Sequence, residues 1–181
     1  SDDATVNCTE EEYFALIEKH SRHVFDVMRE RGTSDVDMRR LHDALMFAGE
    51  AHRKQKRNTG APYIIHPISV ATIAAEELKL DVNSVICAFL HDVVEDTKHT
   101  VKEIRERFGD DVAFLVNVVT KKKCNHYDMS KQVDNYKQLL DSLDYDIRAL
   151  MVKIADRLHN MRTLSSMSPD KQMKIAGETD Y

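Results

Sequence analysis

Apolar residues recur every three to four positions along most of this chain, and that spacing predicts helices rather than strands. Tyr13, Phe14, Ile17, Val24, Phe25 and Met28 mark a first helix that should stop at Gly32. Leu41, Leu45, Phe47, Ala48 and Ala51 mark a second, running into a basic segment, and Asn58 to Pro62 reads as a loop. Pro67 suits the first turn of a third helix, with Val70, Ile73, Ala74 and Leu78 on its inner face. A fourth is expected from about Asp81 to Val94. Thr100 and Glu103 have the spacing of a capping box that opens a fifth. Gly109 should end it before Val112 to Val119 resume the pattern. Ile147, Leu150, Met151, Ile154, Leu158 and Met161 form the best amphipathic stripe. Lys121 to Ser130 is polar and irregular, with the composition of a mobile loop. Ser168-Pro169-Asp170 is a start signal for one more helix, which has no stop signal before Tyr181. With no repeat and no convincing strand pair, the expected fold class is all-α. The open last element reads as a fragment of a longer protein.

The bulk numbers narrow the class. A chain of 181 residues, 42% hydrophobic and 31% charged, supports one good core. No apolar run approaches the roughly 20 residues that span a bilayer, so no membrane association is expected, and no export signal is seen. Three cysteines, Cys8, Cys87 and Cys124, lack paired spacing, which argues against disulfides and thiolate zinc sites. Cytoplasm is the expected compartment. The net charge of -5 gives no support to nucleic-acid binding. Charge is uneven, however: Arg53, Lys54, Lys56 and Arg57 form a basic stretch able to meet a small, highly anionic ligand.

The candidate chemistry lies where apolar stretches are interrupted. His91-Asp92, followed by Glu95-Asp96, ends the fourth segment. On a continuous helix His91 sits over Glu95 and Asp92 over Asp96. Acids clustered in this way repel one another, which is tolerated mainly where a cation is bound or protons move. His66 stands at a helix entry, and Asp156 interrupts the late apolar stripe. Each piece alone has a plainer reading. His66 reads as a partly exposed helix start, Asp156 as a salt-bridge partner of Arg157 or Arg162, and the acidic run as a solvated helix end. Together, His and carboxylate from separate elements suit a divalent cation with positions left open.

The order His66, His91-Asp92, Asp156 resembles the pattern of HD-domain metal-dependent phosphohydrolases. Gly60 to Pro67, Leu90 to Thr97 and Lys153 to Leu164 are similar, more closely, to the hydrolase domain of the Rel/Spo (RelA/SpoT homologue) enzymes of the bacterial stringent response. The resemblance implies an HD-domain helical bundle over residues 35–181, preceded by an N-terminal helix in 1–34, with a synthetase domain following in the full-length protein. It implies hydrolysis of (p)ppGpp at the 3′-pyrophosphate, giving GDP or GTP plus pyrophosphate, with Mn2+ as the metal. By position His66, His91, Asp92 and Asp156 would be the ligands, and Glu95 and Asp96 the catalytic pair acting on water. Arg57, Asn58, Thr59, Asn160 and Thr163 would lie around the nucleotide. One departure stands out: many members carry Arg-Lys where this chain has Arg57-Asn58, leaving Lys56 or Lys54 to substitute. Two other readings are an HD phosphohydrolase for another nucleotide and a module that binds nucleotide without cleaving it. The intact ligand and acid set argues against the second, and the Thr59-Gly60 loop and the Asn160 to Thr163 segment favour the alarmone.

Overall fold

Polar caps start the helices where the sequence supplies them. In the computed structural model, which describes residues 9–120 and 136–165, the Thr9 hydroxyl accepts from the Glu12 amide and opens α1, Glu10–Glu30. Glu10, Glu11 and Glu12 in its first turn face the positive end of the helix dipole. Ser34 caps α2, Asp35–Ala51, in the same way. Helix α3, Ile65–Thr72, runs on into a π-turn over Ile73–Glu77. Then come α4, Val82–Leu90, and the short α5, Val93–Asp96. Next is α6, Val101–Phe108, opened by the expected capping box between Thr100 and Glu103. Helices α7, Asp110–Thr120, and α8, Tyr136–Ser165, complete the order. Among the described residues the only β-pairing is an isolated bridge between Lys56 and Pro62. No helix among them is long and apolar enough to cross a membrane. The fold is all-α.

Helix α4 is the centre of the bundle. Every residue from Ser84 to Leu90 is buried, and a helix apolar on all faces must be enclosed on all faces. Helices α2, α3, α7 and α8 pack around it. Tyr13, Ile17, Val24 and Met28 of α1 join the same buried cluster.

Two elements differ from the sequence pattern. The fourth helix does not continue to Val94 but ends at Leu90, and His91-Asp92 form a turn before α5. The His91 Nδ1–H donates to the Ala88 carbonyl at 2.6 Å, and Asp92 relaxes to φ −99°, ψ −5°. The Asp96 amide still bonds the Asp92 carbonyl at 2.9 Å, which preserves one turn of the expected i,i+4 relation. On α8, the apolar stripe meets the core only in part, through Leu158. Ile147, Leu150, Ile154 and Met161 are exposed, whereas Ala149, Val152 and Ala155 are buried. Small side chains let α8 approach its neighbours closely, so the larger residues lie outward, and periodicity alone weights them wrongly. The expected loop at 121–130 and the helix after Ser168 lie outside the described residues.

A charged clamp holds α8 in register. Arg148 donates to Asp111 through Nη1 at 2.9 Å and Nη2 at 2.8 Å, and lies 2.8 Å from Asp144 and 3.3 Å from Asp81. Asn83 donates to the same Asp111 carboxylate at 2.7 Å. The hydrogen bonds from Arg148 hold the Asp111 pKa down to about 2. Arg148→Ala is expected to destabilise the fold by roughly 1.5–3 kcal/mol at pH 7, as for hydrogen bonds to charged groups. Because the folded Asp111 pKa is depressed, this contribution is complete above the unfolded value of about 3.9 and is lost as pH falls toward 2. Urea unfolding at pH 7 and pH 3 checks both points: the gap between wild type and variant should narrow at the lower pH.

Candidate metal centre and active site

Four side chains from three parts of the fold converge beside α4. His66 comes from the first turn of α3, His91 and Asp92 from the turn after α4, and Asp156 from the middle of α8. His66 Nε2 lies 2.6 Å from Asp156 Oδ1 and 3.9 Å from Asp92 Oδ2. His91 Nε2 lies 3.0 Å from Asp92 Oδ2 and 3.4 Å from Asp156 Oδ1. Ligand atoms of His66, His91 and Asp92 all fall within 4.8 Å of one another. Both histidines are buried, at 2% and 3% exposure. Arg162, one alternative partner for Asp156, instead forms a two-point pair with Glu77 at 2.7 and 2.9 Å.

The chemistry of this set fits a divalent cation. The bond from His91 Nδ1–H to Ala88 leaves Nε2 as the atom facing the cluster. That Nε2 is buried and makes no directed hydrogen bond, although two carboxylate oxygens stand close by. Burial works against both carboxylates, yet the neighbouring histidines hold Asp92 and Asp156 well below the ordinary range. Burial also opposes charge on His91, but Asp92 and Asp156 outweigh it and raise its pKa well above the usual value. His66 moves the other way, lowered chiefly by burial. The opposite directions separate His91, which faces both carboxylates, from His66, where burial prevails.

Supporting residues surround the four. Tyr63 donates its hydroxyl to Asp92 Oδ2 at 2.5 Å, and its ring lies 4.9 Å from that of the buried His52. His52 Nδ1 is 2.6 Å from Gln55 Oε1, and Gln55 Nε2 donates to the Asp96 carbonyl at 2.9 Å. His159 Nδ1 lies 2.7 Å from His66 Nδ1. Sequence reasoning did not single out Tyr63, His52 or His159. The signal available was position: His159 follows Asp156 by three residues and so shares its helix face.

A cleft of about 500 Å³ opens over the centre. Its lining brings the acids Asp92, Glu95, Asp96 and Asp156 and His66 together with the basic residues Lys56, Arg57 and Arg157 and with Asn58, Tyr63 and Asn160. Glu95 and Asp96 are exposed. Burial first, then Asp92 and Glu95, push the Asp96 carboxyl up to about 6. Arg57 donates through Nη2 to Asn160 Oδ1 at 2.8 Å, while its buried Nη1 has no partner. Its loop is set by the amide of Arg57 bonding Ala61 and by Gly60 at φ +89°, a conformation suited to glycine. Thr59 and Thr163 do not line the cleft. Thr59 accepts from the Ala61 amide at 3.4 Å, and Thr163 donates to the His159 carbonyl at 2.9 Å.

Comparison with known proteins identifies the family. The HD domain family matches residues 44–181. The bifunctional (p)ppGpp synthase/hydrolase SpoT of Escherichia coli is 44% identical over 144 residues, 78% of this chain and 20% of that protein. A guanosine-3′,5′-bis(diphosphate) 3′-pyrophosphohydrolase of Aquifex aeolicus is 41% identical over 170 residues, 94% of this chain and 22% of that protein. The chain thus spans about a fifth of the length of these curated relatives. A solved structure, described as a metazoan ortholog of SpoT that hydrolyzes ppGpp, superposes with a TM-score of 0.57 at 28% identity, covering 75% of this chain and 79% of that one. The family match extends over most of this sequence, including His66, His91, Asp92 and Asp156: the chain belongs to the HD-domain family.

Proposed function

We propose that this chain is a metal-dependent (p)ppGpp hydrolase domain that releases the 3′-pyrophosphate and leaves GDP or GTP. One observation carries the reading. A buried His/Asp cluster able to hold a cation shares its cleft with two exposed acids and with an arginine whose inner nitrogen is unpartnered. The relatives' names supply the substrate class.

His66, His91, Asp92 and Asp156 hold the cation, with Mn2+ the metal proposed. When bound, such an ion acidifies water beside it and offsets charge on a phosphoryl oxygen. The protein's own groups do the rest. Arg57 turns its free Nη1 to a phosphate oxygen, for which a planar guanidinium is well suited. Lys56, lining the same cleft, supplies the second positive charge that Asn58 lacks. Asn160, already bonded to Arg57, fixes that guanidinium and offers its amide to the nucleotide. Glu95 accepts the proton of the attacking water, and Asp96, with a pKa near 6, exchanges protons with it near neutrality. Thr59 and Thr163 act indirectly, by shaping the loop and by bonding the backbone beside Asp156.

Incubating the purified chain with Mn2+ and ppGpp, and separating the products by ion exchange, is expected to yield GDP and pyrophosphate in equal amounts. Release of orthophosphate, or turnover undiminished in a chelator, would contradict the reading.

A further inference from the structure

His66 can coordinate a cation through Nε2 only if that nitrogen carries a lone pair, so its proton must sit on Nδ1. The atom facing Nδ1 is His159 Nδ1, 2.7 Å away. Two imidazole nitrogens at that distance make a hydrogen bond only when one donates and the other accepts. What decides between the two arrangements lies on the far side of His159. The Thr163 hydroxyl spends its proton on the His159 carbonyl at 2.9 Å, so its oxygen faces His159 Nε2 as an acceptor, at a long 3.5 Å. That favours the proton of His159 on Nε2, leaves its Nδ1 to accept, and fixes the proton of His66 on Nδ1.

We propose that His159 is a positioning residue that locks His66 in the tautomer able to bind the metal, with Thr163 setting the tautomer of His159. The proposal rests on the reading of His66, His91, Asp92 and Asp156 as cation ligands. The two histidine rings lie 4.9 Å apart at 33°, so His159 also limits rotation of the His66 ring. His91 obtains the same service from the Ala88 carbonyl, a backbone acceptor that no substitution removes. Partners of this kind raise the basicity of the ligand and hold its orientation.

The test measures Mn2+ affinity by the loss of the free-ion electron paramagnetic resonance signal, for wild type, His159→Phe and His159→Asn. Phenylalanine keeps the ring and removes the acceptor, whereas asparagine places an amide oxygen near the position of Nδ1. His159→Phe is expected to weaken Mn2+ binding by about 10–100-fold, as loss of an outer partner does elsewhere, and His159→Asn to regain most of it. Equal affinity in wild type and His159→Phe overturns the proposal, as does a folded His159→Asn no better than His159→Phe. Long-range 1H–15N spectra of the wild-type chain loaded with Zn2+ give a check independent of either variant. They should show His66 protonated at Nδ1 and His159 at Nε2, and the reverse pattern at His159 overturns the lock. A wild-type chain that binds no Mn2+ removes the underlying metal site as well, which separates that failure from failure of the tautomer lock alone.

Discussion

Asp156→Ala is expected to leave a folded chain that retains no divalent cation through gel filtration in metal-free buffer. Asp156 alone brings α8 to the centre through a carboxylate, at 2.6 Å from His66 and 3.4 Å from His91. On the proposed reading, its removal takes away one of four ligands and one of the two carboxylates of the cluster. Changes to mere outer partners of ligands cost about 10–100-fold in affinity, so a ligand should cost more than about 100-fold. The metal-free fold should survive, because the neighbouring Ala155 and Val152, rather than Asp156, make the buried face of α8. Thermal unfolding with and without Mn2+ separates the two effects. A ligand at 100 times its Kd stabilises the native state by about 2.7 kcal/mol, and that increment should vanish in the variant while the metal-free midpoint moves little. An Mn2+-dependent rise in Tm equal to wild type would remove Asp156 from the ligand set.

Much of this centre was legible from side-chain type at breaks in apolar patterning. His66 before Pro67, His91-Asp92 after Leu90 and Asp156 within Val152–Leu158 each place a polar group where a core residue would otherwise stand. A buried polar group needs a partner, and the three sites need one another. The supporting residues were harder to read because their roles depend on atoms rather than on residue class. Tyr63 could have been an ordinary aromatic of the loop until its hydroxyl met Asp92. His159 looked like any polar residue on α8 until its Nδ1 met that of His66. The helical class and most boundaries followed from glycine, proline and cap positions. The break after Leu90 did not, since Phe89 to Val94 has no glycine or proline to announce it. That turn arises from His91 bonding back to Ala88. The outward face of α8 misled for a related reason: Ala149 and Ala155 carry little weight in a hydrophobic pattern, yet their small size is what permits close packing.

Glu95→Gln is expected to hold the cation as tightly as wild type and lose most of its turnover. The substitution is nearly isosteric and removes only the capacity to take up a proton. Positioned general bases contribute about 10²–10⁴-fold, so kcat should fall by that factor, equivalent to about 3–5 kcal/mol in the barrier. KM should change little, because the proposal assigns anion binding to Arg57 and Lys56 rather than to Glu95. Glu95 is exposed on α5, one turn beyond His91, and its helix is anchored by the Gln55 amide on the Asp96 carbonyl. The proposed base therefore lines the cleft without being one of the proposed ligands. Asp96→Asn gives the necessary comparison. Its carboxyl, raised to about 6, is protonated on the acid side of neutrality. Loss of that group should therefore flatten the pH dependence of kcat between about pH 5 and 7, with a smaller fall in the maximum. Full turnover in a metal-loaded Glu95→Gln chain, together with a large loss in Asp96→Asn, would exchange the two roles. Both carboxylates are exposed on α5 and line the same cleft, so the contrast between the two variants is what assigns the base.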